Sequence, residues 1–398
     1  MWILNNIKFY IRLGVVTTRT TNFGIYYFLY WDSYHEKAKN FRLFLESLGP
    51  IFIKFGQFLS THCWLPCILN NELKKLQDNV SKPNIINHKL LPSGLIIDSI
   101  PIASASIATV HMGHIGEKKV AVKIRRPNIN KEIKQTFRII KFLSPVLLLF
   151  PLFRQMKFKD QIEIAEIFIS EQNDFIMEAN NLLWYNKNIR EIAIIPKCLT
   201  KYCNENIITM EYEPGIKTDD LILSNQDKEI LSKSLLGFFL STANCHGKFH
   251  ADLHNGNIAW RKENSNYRLI IYDFGLIGNL SKKQRSDINK FYNSLIKQDV
   301  SECKHTLINV FFDKINMSEK EFDNELEELI IEMIQAKDLN AINLILGLKR
   351  IMNKSNISLN PEMLKFQIAL LNIDGIIGQL ATKKSHTQLL NEIMFYDL

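Results

Sequence analysis

The chain has 398 residues, enough for one large domain or two moderate ones, and its 46% hydrophobic and 23% charged residues are an ordinary globular balance with material for a core. Its formal net charge of +8 suits an anionic membrane surface, a nucleotide or a nucleic acid without choosing among them. Six cysteines (Cys63, Cys67, Cys198, Cys203, Cys245 and Cys303) form no CxxC pair, which fits a reduced, intracellular protein and gives a zinc site poor support.

At the N-terminus no acid precedes Asp32, and Lys8, Arg12 and Arg19 break every apolar run short of the roughly 20 residues a membrane span needs. No secretory cleavage pattern follows. The segment fits either a basic-aromatic helix lying on a membrane interface or a helix packed on its own domain. Residues 40–60 have helical apolar spacing with a break at Gly49-Pro50, and 71–79 continue helically. Residues 83–101 read as a connector. Two β-rich runs, 107–111 and 118–124, read as a hairpin. Helix is expected over most of 131–190, interrupted where Pro145 and Pro151 break an apolar run too short to span a membrane. A strand at 207–212, the turn Glu213-Pro214-Gly215, a helix at 228–246 and a strand at 268–272 follow. Everything after Ser281 reads helical, including 318–338 and 361–380. The order is a helical extension, a small β-rich lobe and a large helical lobe.

Phosphoryl transfer needs a cation for the bridging phosphates, a metal clamp and a positioned acceptor. HADLHNGN at 250–257, followed by YDFG at 272–275, has the catalytic spacing of protein-kinase-like enzymes. On this reading Asp252 meets the acceptor hydroxyl, while Asn257 and Asp273 hold the metal ions. His250 is expected to bond the loop or the DFG backbone. His250 and His254 sit on a loop rather than a helix, which argues against zinc. VAVKI puts Lys123 in a strand after a hairpin, within reach of the α- and β-phosphates. Taken alone the pattern also fits an edge-strand lysine; the downstream motifs favour the phosphate role. The orienting carboxylate is expected at Glu166, with Glu163 as its competitor. No glycine-rich loop precedes the lysine. In its place stand Ala103, Ser104, Ala105 and Ser106, where alanine blocks the closest backbone approach and the serine hydroxyls are the available donors.

Four motifs together carry a family resemblance: KFGQ at 54–57, ASAS at 103–106, VAVKIRRP at 120–127, and HADLHNGN with DFG. The chain resembles the UbiB family of atypical kinase-like proteins, linked to ubiquinone biosynthesis. The resemblance implies an α+β, bilobal protein-kinase-like fold with an N-terminal helical KxGQ extension, divided at 1–82, 83–212 and 213–398. In the family that extension folds over the active site, and Lys54 and Gln57 share one of its helix faces. The resemblance implies ATP and Mg²⁺ as cofactors. Nucleotide contacts are expected from Ala103, Ser104, Ala105, Ser106, Lys123 and Glu211, and regulation from Lys54, Gln57 and Asp174.

Departures from the family pattern are specific. Thr61, His62, Cys63 and Trp64 follow Ser60 where the family has a charged Arg and Asp. The ExD-type motif keeps Asp174, but Gln172 replaces its glutamate. Leu253 and Asn255 replace the prolines of HADPHPGN, which should loosen the loop without removing its ligands. The implied function is an ATPase or small-molecule kinase supporting quinone synthesis. Its expected partners are ATP, membrane lipid or a phenolic quinone precursor, and quinone-biosynthesis proteins; nucleic acid is not expected. The expected location is peripheral, on the cytoplasmic face of a bacterial inner membrane, with an organelle matrix as the alternative. A nucleotide-gated scaffold without catalysis, and a protein kinase, are the competing readings.

Overall fold

Two stretches of chain build a first unit, Met1–Phe175 and Leu199–Met210; Ile176–Cys198 and Glu211–Leu398 build a second. The computed structural model describes residues 10–22, 33–60, 65–76, 91–148, 158–264, 266–311, 319–336, 341–355 and 361–382, with 384, 388, 389 and 392. Expectations for 61–64, for 77–90, for the interruption from 149 on and for parts of the N-terminal segment lie outside these residues, while the break expected at Pro145 is corrected: helix continues through it to Leu147.

The first unit begins with helix α1 (10–22), α2 (Tyr34–Leu48), α3 (Pro50–Ser60) and α4 (Cys67–Leu73). Gly49, at φ 108, separates α2 from α3 at the expected break. KFGQ lies inside α3. Its apolar face packs on α5 (Ile129–Leu147) and α6 (Phe158–Gln172), with Phe55 6.2 Å from Phe137 and 6.0 Å from Phe158, and Phe58 5.6 Å from Phe168, between ring centroids. Gly56 turns the other way: a Cβ there would collide with Leu76 and stand 2.8 Å from Leu45. A side chain at this position would make both leucines shift. Glu72 on α4 is buried and accepts from Arg42 Nε at 3.0 Å and from Lys75, which fastens α4 to α2.

The sheet has the order β1–β2–β3–β4: Ile96–Ser104, Ala108–Ile115, Lys118–Arg125 and Ile207–Glu211. β2 and β3 form the expected antiparallel hairpin, turning at Gly116 with φ 59. Val120, Val122 and Ile124 alternate into a core with Leu95 and Ile207. The expected connector at 83–101 needs correction, because its end is strand. β1 starts at Ile96 and pairs antiparallel with β2. Pro101 sits on an edge strand between two register shifts, where a missing N–H is tolerated.

The second unit is mostly helical: α7 (Phe175–Ile189), whose first residue belongs to the first unit, α8 (Asn225–Leu240), α9 (Lys282–Lys297), α10 (Val300–Phe311), α11 (Glu319–Ala336), α12 (Ala341–Ser355) and α13 (Pro361–Leu380). Ser224 and Asp227 form a capping box that starts α8. After α8, the wide turn Ser241–His246 ends at Gly247, φ 68, and the chain enters β5 (Lys248–His250). β5 pairs with β8 (Ile277–Asn279), and β6 (Ile258–Glu263) pairs with β7 (Asn266–Ile271). The two motif loops leave these short ribbons. Phe249 is 6.1 Å from Phe239 and 5.3 Å from Phe366, which seats β5 between α8 and α13. Among the described residues no helix is long and apolar enough to cross a membrane.

Candidate active site

The loop after β5 is held by its own backbone and by one histidine. His250 is fully buried; its Nε2 lies 2.6 Å from the Asp273 carbonyl, and its Nδ1 accepts from the Asp252 N–H at 3.1 Å. An accepting Nδ1 requires a neutral ring that donates through Nε2. Burial accordingly holds the imidazole below its ordinary pKa, against the opposing pull of the Asp273 backbone bond. The ring thus ties the two aspartate segments together, as the sequence led us to expect.

Asn257 Nδ2 donates to the Asp252 carbonyl at 2.9 Å, which leaves its amide oxygen as the ligand atom. Backbone bonds from Asn257 to the His254 carbonyl (2.8 Å), from Tyr272 to the Asn257 carbonyl (3.0 Å) and from Ala251 to the Leu276 carbonyl (3.0 Å) lock both loops. Asp273 Oδ1 accepts from the Gly275 N–H at 2.8 Å. Phe274 is buried between Tyr185, 4.8 Å away, and His250, 5.7 Å away. Asn181 Nδ2 donates to the Phe274 carbonyl at 3.1 Å. Asp252 keeps its side chain 25% exposed, with His254 Nε2 at 4.0 Å. The oxygens of Asn257 and Asp273 are hard donors of the kind Mg²⁺ prefers, so the donor set fits that ion. Where Asn255 replaces proline, the loop gains a tie to the last long helix. Asn255 Nδ2 donates to Gln379 Oε1 on α13 at 2.5 Å.

In the first unit Lys123 pairs with Val110 in the β2–β3 ladder and is 8% exposed. Val122 and Ile124 enter the core, so strand alternation turns Lys123 to the opposite face. Its Nζ lies 5.5 Å from the centroid of Phe175, the first residue of α7. Glu166, expected to orient this lysine, does something else. Its Oε2 accepts from Lys141 Nζ at 2.5 Å, and its side chain is 32% exposed. A carboxylate at the surface between α5 and α6 is engaged there rather than with Lys123. Glu178 is the carboxylate that sequence reasoning passed over. It is 1% exposed and lies one helical turn after Phe175, on the same face of α7. Its signal was the pairing of an apolar helix start with an acid three residues on.

The Ala/Ser segment also departs from expectation. Ala103 and Ser104 are strand, paired with Val110 and Thr109, and only a tight turn at 105–107 remains. Ala105 N–H donates to the Ala108 carbonyl at 2.9 Å. Arg126 closes the turn: Nε donates to the Ala105 carbonyl and Nη2 to Ser104 Oγ, both at 3.0 Å. Ser106 is fully buried, and its Oγ finds no hydrogen-bond partner among the described residues. Arg126 is a second residue that the sequence reading passed over.

Of the remaining expected residues, Gln57 Nε2 donates to the Leu76 carbonyl at 2.9 Å, which binds α3 to the end of α4. Lys54 is half-buried on the same helix. Asp174 follows α6 and raises the pull on Arg125, whose pKa burial otherwise lowers. Glu211 ends β4 in the second unit, its N–H donating to the Lys197 carbonyl at 2.9 Å.

Comparisons with known proteins show the family. Residues 95–307 match the ABC1 atypical kinase-like domain. An uncharacterised Clostridium pasteurianum protein, described as lying in the hydrogenase 1 5′ region, is 31% identical over 88% of this chain and 69% of its own length. A Blochmanniella pennsylvanica protein named probable protein kinase UbiB is 28% identical over 86% of this chain and 67% of its own. Among solved structures, the Rv3197–erythromycin complex from Mycobacterium tuberculosis matches at a TM-score of 0.52 and 17% identity, over 76% of this chain and 78% of that one, which supports the fold. With an ordered Asp-Asn-Asp set, a strand lysine and a domain match over more than half its length, the chain belongs to the ABC1 atypical kinase-like family.

Proposed function

We propose that the chain is an ATP-dependent phosphotransferase or ATPase of UbiB type that acts in quinone synthesis at a membrane surface. The observation that carries this reading is the loop in which His250 ties the Asp252 N–H to the Asp273 carbonyl while Asn257 is held on the Asp252 carbonyl. Mg²⁺ bound by Asn257 and Asp273 would neutralise the phosphates and draw charge from the leaving group. Lys123 would hold the α- and β-phosphates, and Glu178 rather than Glu166 would be the carboxylate on which turnover depends. Asp252 would take the proton of the attacking hydroxyl or water as the γ-phosphoryl group passes to that oxygen, with ADP leaving. The membrane part of the reading rests on the net charge of +8 and on the UbiB resemblance.

The test is phosphate release by purified protein with Mg²⁺ and ATP, alone and with vesicles containing a phenolic isoprenoid lipid. We expect turnover that the vesicles raise and that Lys123→Ala and Asp273→Asn remove. Gln172, a neutral amide where the family has a carboxylate, favours a second reading as a nucleotide-gated scaffold. Tight nucleotide binding without phosphate release under any lipid condition would select it.

A further inference from the structure

The segment expected to grip phosphate offers little to grip with. Ala105 N–H is used by the Ala108 carbonyl, Ser104 Oγ is fixed in place as an acceptor from Arg126 Nη2, and Ser106 Oγ is buried. A buried hydroxyl with no partner is an unfavourable arrangement that something must hold in place. Backbone bonds from Ala105 and Arg126 shape the turn, and one side chain ties its outer groups. Arg126 bonds the Ala105 carbonyl and Ser104 Oγ with two arms of its fork, and its own N–H donates to the Ile107 carbonyl at 2.9 Å. These bonds span the turn from both sides of Ser106. Arginine suits the task because its planar fork reaches two acceptors at once, which a lysine ammonium does not.

We propose that Arg126 is a positioning residue that keeps the Ala/Ser turn closed and so withholds the hydroxyl of Ser106 from phosphate. The inference rests on the nucleotide-binding reading above and adds how that binding is restrained. In the closed turn the nucleotide is held without a donor from Ser106. When the fork lets go, Ser106 turns outward and becomes a phosphate donor. A competent form that is a minority raises the apparent Kd in proportion to its scarcity, so a turn closed about ten to one weakens binding about tenfold.

The experiment titrates the full chain with AMP-PNP and Mg²⁺ by calorimetry, for wild type, Arg126→Ala, Arg126→Lys, Ser106→Ala and the double variant Arg126→Ala/Ser106→Ala. Amide exchange at Ala105 and melting temperature are measured in parallel. We expect Arg126→Ala to bind about tenfold tighter, with faster exchange at Ala105 and a melting temperature within a few degrees of wild type. Arg126→Lys should resemble Arg126→Ala, since it keeps the charge and loses the fork; it also serves if the alanine variant folds poorly. The gain should vanish when Ser106 is alanine. Weaker or unchanged binding by both arginine variants overturns the proposal, as does a gain that survives Ser106→Ala, while the nucleotide reading stands. Failure of every protein, wild type included, to bind AMP-PNP overturns that reading and the proposal with it.

Discussion

The loop around Asp252 presents its functional groups, and the turn around Ser106 withholds its own. The loop is shaped by backbone bonds on both flanks and by a buried imidazole, so its side chains are left over for chemistry. The turn has two backbone bonds, and the side chain of Arg126 adds two more, to the Ala105 carbonyl and Ser104 Oγ. A feature held by backbone survives most single substitutions with its shape intact. One that a side chain also ties is loosened by a single change. The comparison teaches that the same family pattern can be rigid where the reaction needs geometry and adjustable where it needs restraint.

The hardest blow to this contrast comes at the loop. Asp273→Asn should reduce phosphate release by about 10²–10³-fold, the usual loss for a group that stabilises transition-state charge. Because the loop's shape comes from backbone and His250, the melting temperature should barely move. Full turnover by this variant would remove Asp273 from the metal site. Next in size is the paired test of two glutamates. Glu178→Gln, in a buried position, should lower turnover about a hundredfold. Glu166→Gln breaks only a partly exposed ion pair with Lys141, worth less than about 1 kcal/mol, and should leave turnover within about threefold. Equal losses at both positions would sink the reassignment.

Much of this was legible beforehand, for a physical reason. The β2–β3 hairpin, the strand before DFG and the tie made by His250 are local: period-two patterning and short loops fix them within a few residues. What was misread depends on partners remote in sequence. β1 hides behind Pro101 because only its pairing with β2 makes it a strand. Glu166 and Glu178 both lie on helices, and helical spacing does not say which carboxylate is buried. The tie from Asn255 was equally hidden, because Gln379, which receives its amide, lies 124 positions away.

Smaller effects sharpen the contrast through stability. Gly56→Ala puts a methyl against Leu45 and Leu76 and should cost about 1–3 kcal/mol in urea denaturation, since overpacking a tight contact forces both leucines to shift. His250 gives a pH dependence of known sign. Its folded pKa is lowered, so above about pH 6.5 the ring is neutral both folded and unfolded and the dependence is flat. As pH falls below about 6.5, the unfolded chain takes up a proton that the folded loop refuses, and stability drops until the lowered folded value is reached. Each unit of lowering is worth about 1.4 kcal/mol. Denaturation midpoints between pH 7.5 and 5.5 should fall more steeply for wild type than for His250→Asn, and parallel slopes would show that the ring is not held neutral.

The smallest effect has the opposite sign and returns to buried hydroxyls. Tyr185 is fully buried against Phe274, and its Oη, like Ser106 Oγ, has no hydrogen-bond partner among the described residues. Burial pushes the phenol well above its ordinary pKa, as expected for a group with no access to water. The two orphans differ in what surrounds them. Ser106 sits in a turn that one side chain can open, whereas Tyr185 is wedged among Trp184, Phe238 and Phe274, where rotation would empty a packed core. Its hydroxyl therefore has no route to a partner, and removing it relieves a desolvation penalty without opening a large hole. Tyr185→Phe should leave stability unchanged or raise it by up to about 1 kcal/mol in urea denaturation, with phosphate release unaltered. A loss of more than about 1 kcal/mol would mean that the phenol is satisfied after all and that the two hydroxyls do not form a contrast.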